Sequence, residues 1–372
     1  MKGASAVRIA GSTTEMLPSV QWLRGIAAMM VVIHHLNFHT EFLREKAGLA
    51  PSWFAHIPWS FGIHIFFVIS GFIMILTTKS FGEPGAWKAF LVRRIIRIVP
   101  LYWVLTTVMV AGVLMAPHSL ELPADKWHYI ASSYLFIPVL RAADDLRPIL
   151  GQGWTLDYEM FFYAAFAFAI LWPRRIGIAI LTTGFLTLAI LGRNLDISTP
   201  MLFTWTDGLI LEFVLGIYLG LIYQSGFRVS RIAAIALVLA GVALGYPEFN
   251  WPAVFSAGLP AMLIVGGLVL CPPLKESRAT FWLTILGDAS YSIYLSHTMV
   301  LRPFRDVWAR LVTGAWSPVG FFLSGVLVAV VVGCAIHYAI ERPMLRFFSR
   351  RLRKPAGAQR PTAPLVAAEL KA

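Results

Sequence analysis

Gln21–Leu36 reads QWLRGIAAMMVVIHHL, an apolar run with a cation near its start, Arg24, and two imidazoles near its end, His34 and His35. Its length and composition predict a bilayer-spanning helix. Arg24 and His35 stand eleven residues apart, which at about 100° per residue is three turns plus about 20°. The two therefore share a face, roughly 16 Å apart along the axis. Polar groups on one face of a helix in lipid are costly, which points them inward at a site. The alternative is that Arg24 snorkels to the interface and His35 is a packed polar residue. The segment by itself leaves both readings open.

Outward from that helix the rest of the chain has the same character. Of 372 residues, 58% are apolar and 13% charged, and the mean hydropathy is +0.71. A soluble domain carries about 25% charged residues. Apolar runs of about 20 residues recur from end to end, so the expected fold class is an all-α, polytopic membrane protein. The residues before Pro18 are polar and mixed, without an apolar core followed by a small-residue cleavage site. The first helix is thus expected to act as an uncleaved insertion signal. Cys271 and Cys334 both fall in apolar runs without metal-ligand spacing and read as core residues; no metal site is expected.

Hydropathy predicts ten spans, at about 20–37, 61–78, 99–116, 152–171, 176–192, 205–223, 231–246, 253–271, 283–301 and 318–340. An even number puts both termini on one side. If that side is the cytoplasm it collects 21 of the 31 Lys and Arg, against nine opposite, with Arg24 inside a span. That asymmetry is an orientation signal, so the net charge of +12 needs no nucleic acid to explain it. The expected layout is a cytoplasmic segment over 1–19, a transmembrane domain over 20–345 and a basic, disordered cytoplasmic tail over 346–372, in a multi-pass protein of the inner (plasma) membrane. The longer outer loops, 38–60, 117–151 and 302–317, carry Trp53, Trp59, Trp127, Trp308 and Trp316, suited to interface anchoring or to stacking on sugar rings.

Four places put polar groups where lipid would exclude them. They are Arg24 with His35; Trp154–Tyr163 (WTLDYEMFFY) with Asp157 and Glu159; Phe203–Gly216 with Asp207 and Glu212; and Leu286–His297 (LGDASYSIYLSH) with Asp288, Ser290, Tyr291, Tyr294, Ser296 and His297. Inward-facing ionisable groups on several helices imply a shared polar cavity, in which a histidine beside a carboxylate suits general base catalysis. For Glu212 and Asp288 interhelical hydrogen bonding is the preferred reading. A further cluster, Arg93, Arg94 and Arg97 in Ala89–Tyr102 (AFLVRRIIRIVPLY), lies just inside the predicted membrane. It suits lipid headgroups or the phosphates of a cytoplasmic cofactor.

Taken together, the motifs resemble the acyltransferase-3 family of integral membrane acyltransferases, and within it the group named for exopolysaccharide production. The matching stretches are LRGIAAMMVVIHH (Leu23–His35), IFFVISGF (Ile65–Phe72), RRIIRIVPLY (Arg93–Tyr102), GWTLDYEMFFY (Gly153–Tyr163), LEFVLGI (Leu211–Ile217), SYSIYLSH (Ser290–His297) and IERP (Ile340–Pro343). The resemblance implies acyl transfer from a cytoplasmic donor, usually acetyl-CoA, to a hydroxyl of a carbohydrate handled at the membrane. It implies that Arg24 and His35 are the essential pair, that Arg94 and Arg97, with Arg93 beside them, contact donor phosphates, and that Glu159 is the acid of the tryptophan-led motif. Ser70, Tyr291, His297 and Trp154 are expected to support the site, Ser70 or Tyr291 at the acyl oxygen and Glu159 orienting His35. Two departures from the family pattern stand out. His64 replaces an acid found in many relatives, and Asp157 and Met160 replace a serine and a second acid. The expected partners are a carbohydrate acceptor, the lipid bilayer and polysaccharide biosynthesis machinery. A transporter or flippase for a lipid-linked sugar is the alternative function, with a scaffold subunit of an export complex as a third.

Overall fold

An α-helix satisfies its backbone hydrogen bonds within one segment, as lipid demands. The computed structural model describes residues 17–115, 122–142, 145–246, 251–272, 277–314 and 316–352. Among these the chain forms thirteen α-helices and no strand. Helix α1 (Pro18–Lys46) opens with Pro18 at a position whose N–H has no intrahelical partner anyway. Two short 3₁₀ turns, Trp53–His56 and Trp59–Phe61, lead back into α2 (Gly62–Thr77). Then come α3 (Ala86–Met115), α4 (Lys126–Leu135), α5 (Trp154–Ala169), α6 (Arg174–Asn194), α7 (Pro200–Thr206), α8 (Ile210–Gln224), α9 (Arg231–Gly245) and α10 (Leu259–Val269). Helix α11 (Arg278–Leu311) starts at a capping box made by Ser277 and Thr280. It is followed by α12 (Ser317–Ile336), a π-helical turn over His337–Glu341, and α13 (Arg342–Leu352).

Each of the ten expected spans falls on helix. Five helical runs are long and apolar enough to cross a membrane on those grounds alone: Trp53–Thr77, Ala86–Met115, Arg174–Asn194, Pro200–Gln224 and Ser317–Arg351. Two of the others, Arg231–Gly245 and Val254–Val269, are shorter apolar helices, and α5 has 16 residues. The remaining two, α1 and α11, have 29 and 34 residues and are diluted by polar side chains. Those are the helices that carry Arg24, His35 and His297.

Three boundaries differ from the sequence reading. Helix α1 runs on to Lys46 instead of ending near 37, because no Gly or Pro interrupts it before Gly48, which has φ +68°. The expected outer loop 117–151 contains α4, N-capped by Asp125, whose carboxylate accepts from the His128 N–H at 3.2 Å. The Tyr102 hydroxyl donates to the Ser133 carbonyl at 2.8 Å and Tyr129 to that of Arg147 at 2.8 Å, which ties α4 and the following segment to α3. Helix α13 carries regular structure through Leu352, over the first seven residues of the expected tail; residues 353–372 and 1–16 lie outside the described residues.

Two parallel helix pairs frame the interior. Trp22 Nε1 donates to Thr284 at 3.0 Å and His297 meets His35 at 3.2 Å, both at a separation of 262 residues, so α1 and α11 run in the same direction in constant register. Their approach depends on Gly25 and Gly287, since a Cβ at Gly287 would stand 2.1 Å from the Gln21 carbonyl oxygen. The second pair, α2 and α8, closes over Gly71 and Gly216, where an added Cβ would stand 1.9 Å from the Phe213 and 2.0 Å from the Val68 carbonyl oxygen. Small residues at such crossings are the usual means of close packing where lipid supplies no hydrophobic drive. Aromatic side chains fill the space between α2, α5 and α8, with Phe162 stacked on Phe213 at a ring separation of 4.4 Å.

Candidate active site

The interior polar groups fall into two layers, called outer and inner after the sides that the charge asymmetry of the sequence predicts. The outer one is built on the parallel pair α1 and α11. His35 Nδ1 lies 3.0 Å from the Val31 carbonyl, one helical turn back, and 3.2 Å from His297 Nε2. His297 is fully buried, with Nδ1 3.2 Å from the Ile293 carbonyl. Carbonyl oxygens only accept, so the proton of each ring sits on Nδ1. His297 Nε2 is then an acceptor facing His35 Nδ1–H, and the lone pair of His35 is left on Nε2. His34 is exposed on the other side of the helix. The turn Gly151–Gly153 closes this layer. Gln152 Oε1 accepts from Thr298 at 2.6 Å, its carbonyl accepts from Tyr294 at 3.2 Å, and Thr155 and Tyr294 share a hydroxyl contact of 2.7 Å. Trp154 follows directly, half-buried, with its ring edge-on to Tyr158.

The inner layer is charged. Arg97 donates to Glu341 at 2.6 Å; the other oxygen of that carboxylate accepts from Ser292 at 2.6 Å and meets His337 Nδ1 at 2.8 Å. Arg94 donates to Thr77 at 3.1 Å and faces the Phe90 ring, while its Nε is buried without a partner. Arg24 is half-buried and makes no hydrogen bond or ion pair among the described residues. Arg93 is exposed. Glu159 accepts from Ser70 at 2.8 Å and from Tyr163.

These contacts redistribute several expected roles. Glu159 is not in contact with His35; its partners among the described residues are the Ser70 and Tyr163 hydroxyls. The side chain in contact with the His35 ring is His297 instead. The Ser70 hydroxyl is spent on Glu159, and that of Tyr291 on the Ile98 carbonyl at 2.8 Å, beneath the Arg97 guanidinium. Neither is free to donate to an acyl oxygen. Glu212 is hydrogen-bonded as expected, through a 2.7 Å contact with His64. The sequence reading held Glu341 only within the IERP match, without a role, and missed His337. An acid four residues after a histidine at the end of an apolar run was the available signal, and the π-helical turn that carries both is a form often found at functional sites.

Outside the spans, Asp145 is held by Arg141 and by two nitrogens of Arg147 at 2.9 Å. Hydrogen bonds from Arg147 pull its carboxyl down to about 2. Among the described residues no group of three or more His, Cys, Asp or Glu is arranged to hold a metal ion.

Residues 17–338 match the acyltransferase domain model of the acyltransferase-3 family. The chain belongs to this family. It is 36% identical over 292 residues to the exopolysaccharide production protein ExoZ of Rhizobium meliloti, covering 77% of this chain and 89% of that protein. Acyltransferase MdmB of Streptomyces mycarofaciens is 27% identical over 379 aligned positions, 90% of this chain and 93% of its own length. Peptidoglycan O-acetyltransferase OatA of Listeria monocytogenes is 27% identical over 167 residues, 42% of this chain and 24% of OatA. No solved structure matches. An acyltransferase-3 chain with these apolar helices is a membrane acyltransferase, and the transporter and scaffold readings lose their support.

Proposed function

We propose that this protein is a multi-pass O-acyltransferase of the inner (plasma) membrane, moving an acyl group, acetyl by default, from cytoplasmic acyl-CoA to a hydroxyl of an exported or cell-surface carbohydrate. In this reading the chain makes ten crossings with both termini cytoplasmic, a transmembrane domain over 20–345, and 1–19 and 346–372 as flanking cytoplasmic segments. The exopolysaccharide and peptidoglycan named for two relatives support a carbohydrate acceptor. Polysaccharide biosynthesis machinery is then the natural source of that acceptor.

The observation that carries the reading is the state of His35. With Nδ1–H committed to Val31 and His297, its free Nε2 is a base in a fixed orientation. His35 Nε2 takes the proton of the acceptor hydroxyl as that oxygen bonds to the acyl carbon. The positive charge this creates on the ring is spread towards His297 Nε2, which accepts the more acidic Nδ1–H. The donor supplies the acyl group as a thioester; the C–S bond breaks, and the proton on His35 passes to the departing sulfur. Phosphate binding falls to Arg24 and Arg94, which hold spare donors, the buried Nε of Arg94 among them. Arg93 adds charge at the entrance. Arg97 gives one N–H to Glu341, which holds it in position, and keeps its other donors for the same phosphates. Trp154 flanks the acceptor side.

The test is transfer of radiolabel from acetyl-CoA to an oligosaccharide acceptor by the purified protein. His35→Ala is expected to abolish labelling while the protein stays folded. Undiminished labelling by His35→Ala would remove the base assignment, and no labelling with any acyl-CoA would remove the donor.

A further inference from the structure

The mechanism makes no use of α13. Its sequence, RPMLRFFSRRL over Arg342–Leu352, sorts cleanly by face. Pro343, Arg346, Phe347, Arg350 and Arg351 are all exposed, and their spacing of three, four, seven and eight residues from Pro343 places them in one stripe. Met344, Leu345 and Phe348 are half-buried on the opposite side, where α13 packs against α3. The stripe thus points away from the helix that carries Arg94 and Arg97. Arg351 covers the Phe347 ring at 4.4 Å, so an exposed aromatic sits inside a cationic surface.

The depth of the stripe follows from chain length. The run Ser317–Arg351 is continuous over 35 residues, about 52 Å at 1.5 Å per residue. The 20 residues of α12 already span the roughly 30 Å of a hydrocarbon core. Helix α13 therefore begins at headgroup level, where guanidinium groups meet lipid phosphates and an aromatic ring is accommodated among headgroups and acyl-chain ends.

We propose that the exposed face of α13 is a binding surface for anionic lipid headgroups, with Arg346, Arg350 and Arg351 on the phosphates and Phe347 at the edge of the acyl region. The surface and its ligand are complementary in charge. An orientation signal alone would need only net positive charge on that side and would not require the arginines in one stripe.

The test is native mass spectrometry of the full-length protein, titrated with phosphatidylglycerol and separately with phosphatidylcholine. The unchanged chain should retain phosphatidylglycerol preferentially. Replacing Arg346, Arg350 and Arg351 together by Gln should cut that preference about 5-fold per arginine, on the order of 100-fold in all. Arg350→Gln alone, the safer variant for folding, should lose about 5-fold, and Arg350→Lys should keep most of the preference. Equal retention of the two lipids by the unchanged chain would overturn the proposal, as would a Gln variant that keeps its preference. A variant that keeps its lipid preference but binds acyl-CoA less well would assign the surface to free nucleotide phosphate instead.

Discussion

The two polar layers solve opposite problems. The outer one is built on two hydrogen-bonded imidazoles, each anchored to a carbonyl of its own helix, and among the described residues the ring nitrogen they leave without a partner is His35 Nε2. The inner one is made of arginines, of which Arg97 is ion-paired with Glu341, and leaves donors spare on Arg24 and Arg94. A layer with one free lone pair suits proton transfer; a layer with surplus cationic donors suits holding phosphate. The difference teaches that the two functions are separable, and mutations should separate them.

The largest effect is expected at His35. His35→Ala should lower kcat by about 10² to 10⁴, the usual worth of a general base, with the KM for the donor little changed. His34→Ala, one residue away but exposed on another face, should stay within a few-fold. Equal losses in the two variants would break the assignment of the outer layer. Next comes His297. Its Nε2 accepts from a group that becomes charged, and such a hydrogen bond is worth about 1.5–3 kcal/mol. His297→Phe should therefore cost about 10- to 100-fold in kcat. His297→Gln, which keeps an acceptor near Nε2, should recover part of that loss and shift the pH profile less than Phe does.

In the inner layer, Arg94→Ala should raise the donor KM about 10-fold, one charged hydrogen bond, and leave kcat nearly intact. Arg97→Ala should act more on folding, since it strips the buried Glu341 of its cation, a change that costs about 3–5 kcal/mol for buried pairs. Thermal melting of the purified variants distinguishes the two arginines. The smallest effect belongs to the outer loop. Asp145 titrates near 2 in the folded chain, below its unfolded value of about 3.9. Its stabilising contribution is thus complete above that unfolded value and lost as pH falls towards about 2. The melting difference between the unchanged protein and Asp145→Asn should be largest near neutrality and shrink below about pH 4.

The sequence carried the vertical order of this arrangement better than its pairings. Helical phase alone put Arg24 and His35 on one face, and apolar length put helix at all ten expected spans. The partner of His35 was not legible. Its contact with His297 depends on the register of two helices 262 residues apart, and that register is set by the close approach of Gly25 and Gly287. Glu159 misled for the same reason. A carboxylate and a histidine in one cavity looked like a catalytic pair, but the depth of α5 against α2 put Glu159 beside Ser70. Helix α4 was hidden because its mixed residues form a cap over α3 and not a span.

The constant offset between α1 and α11 makes this pair a vernier. Because the helices are parallel, a slip of one residue moves every facing pair together, by about 1.5 Å and about 100°. The Trp22–Thr284 bond near one end and the His35–His297 contact near the other must be made or lost in unison. A bulky side chain at Gly287 would therefore disturb the His35–His297 contact together with the Trp22–Thr284 bond.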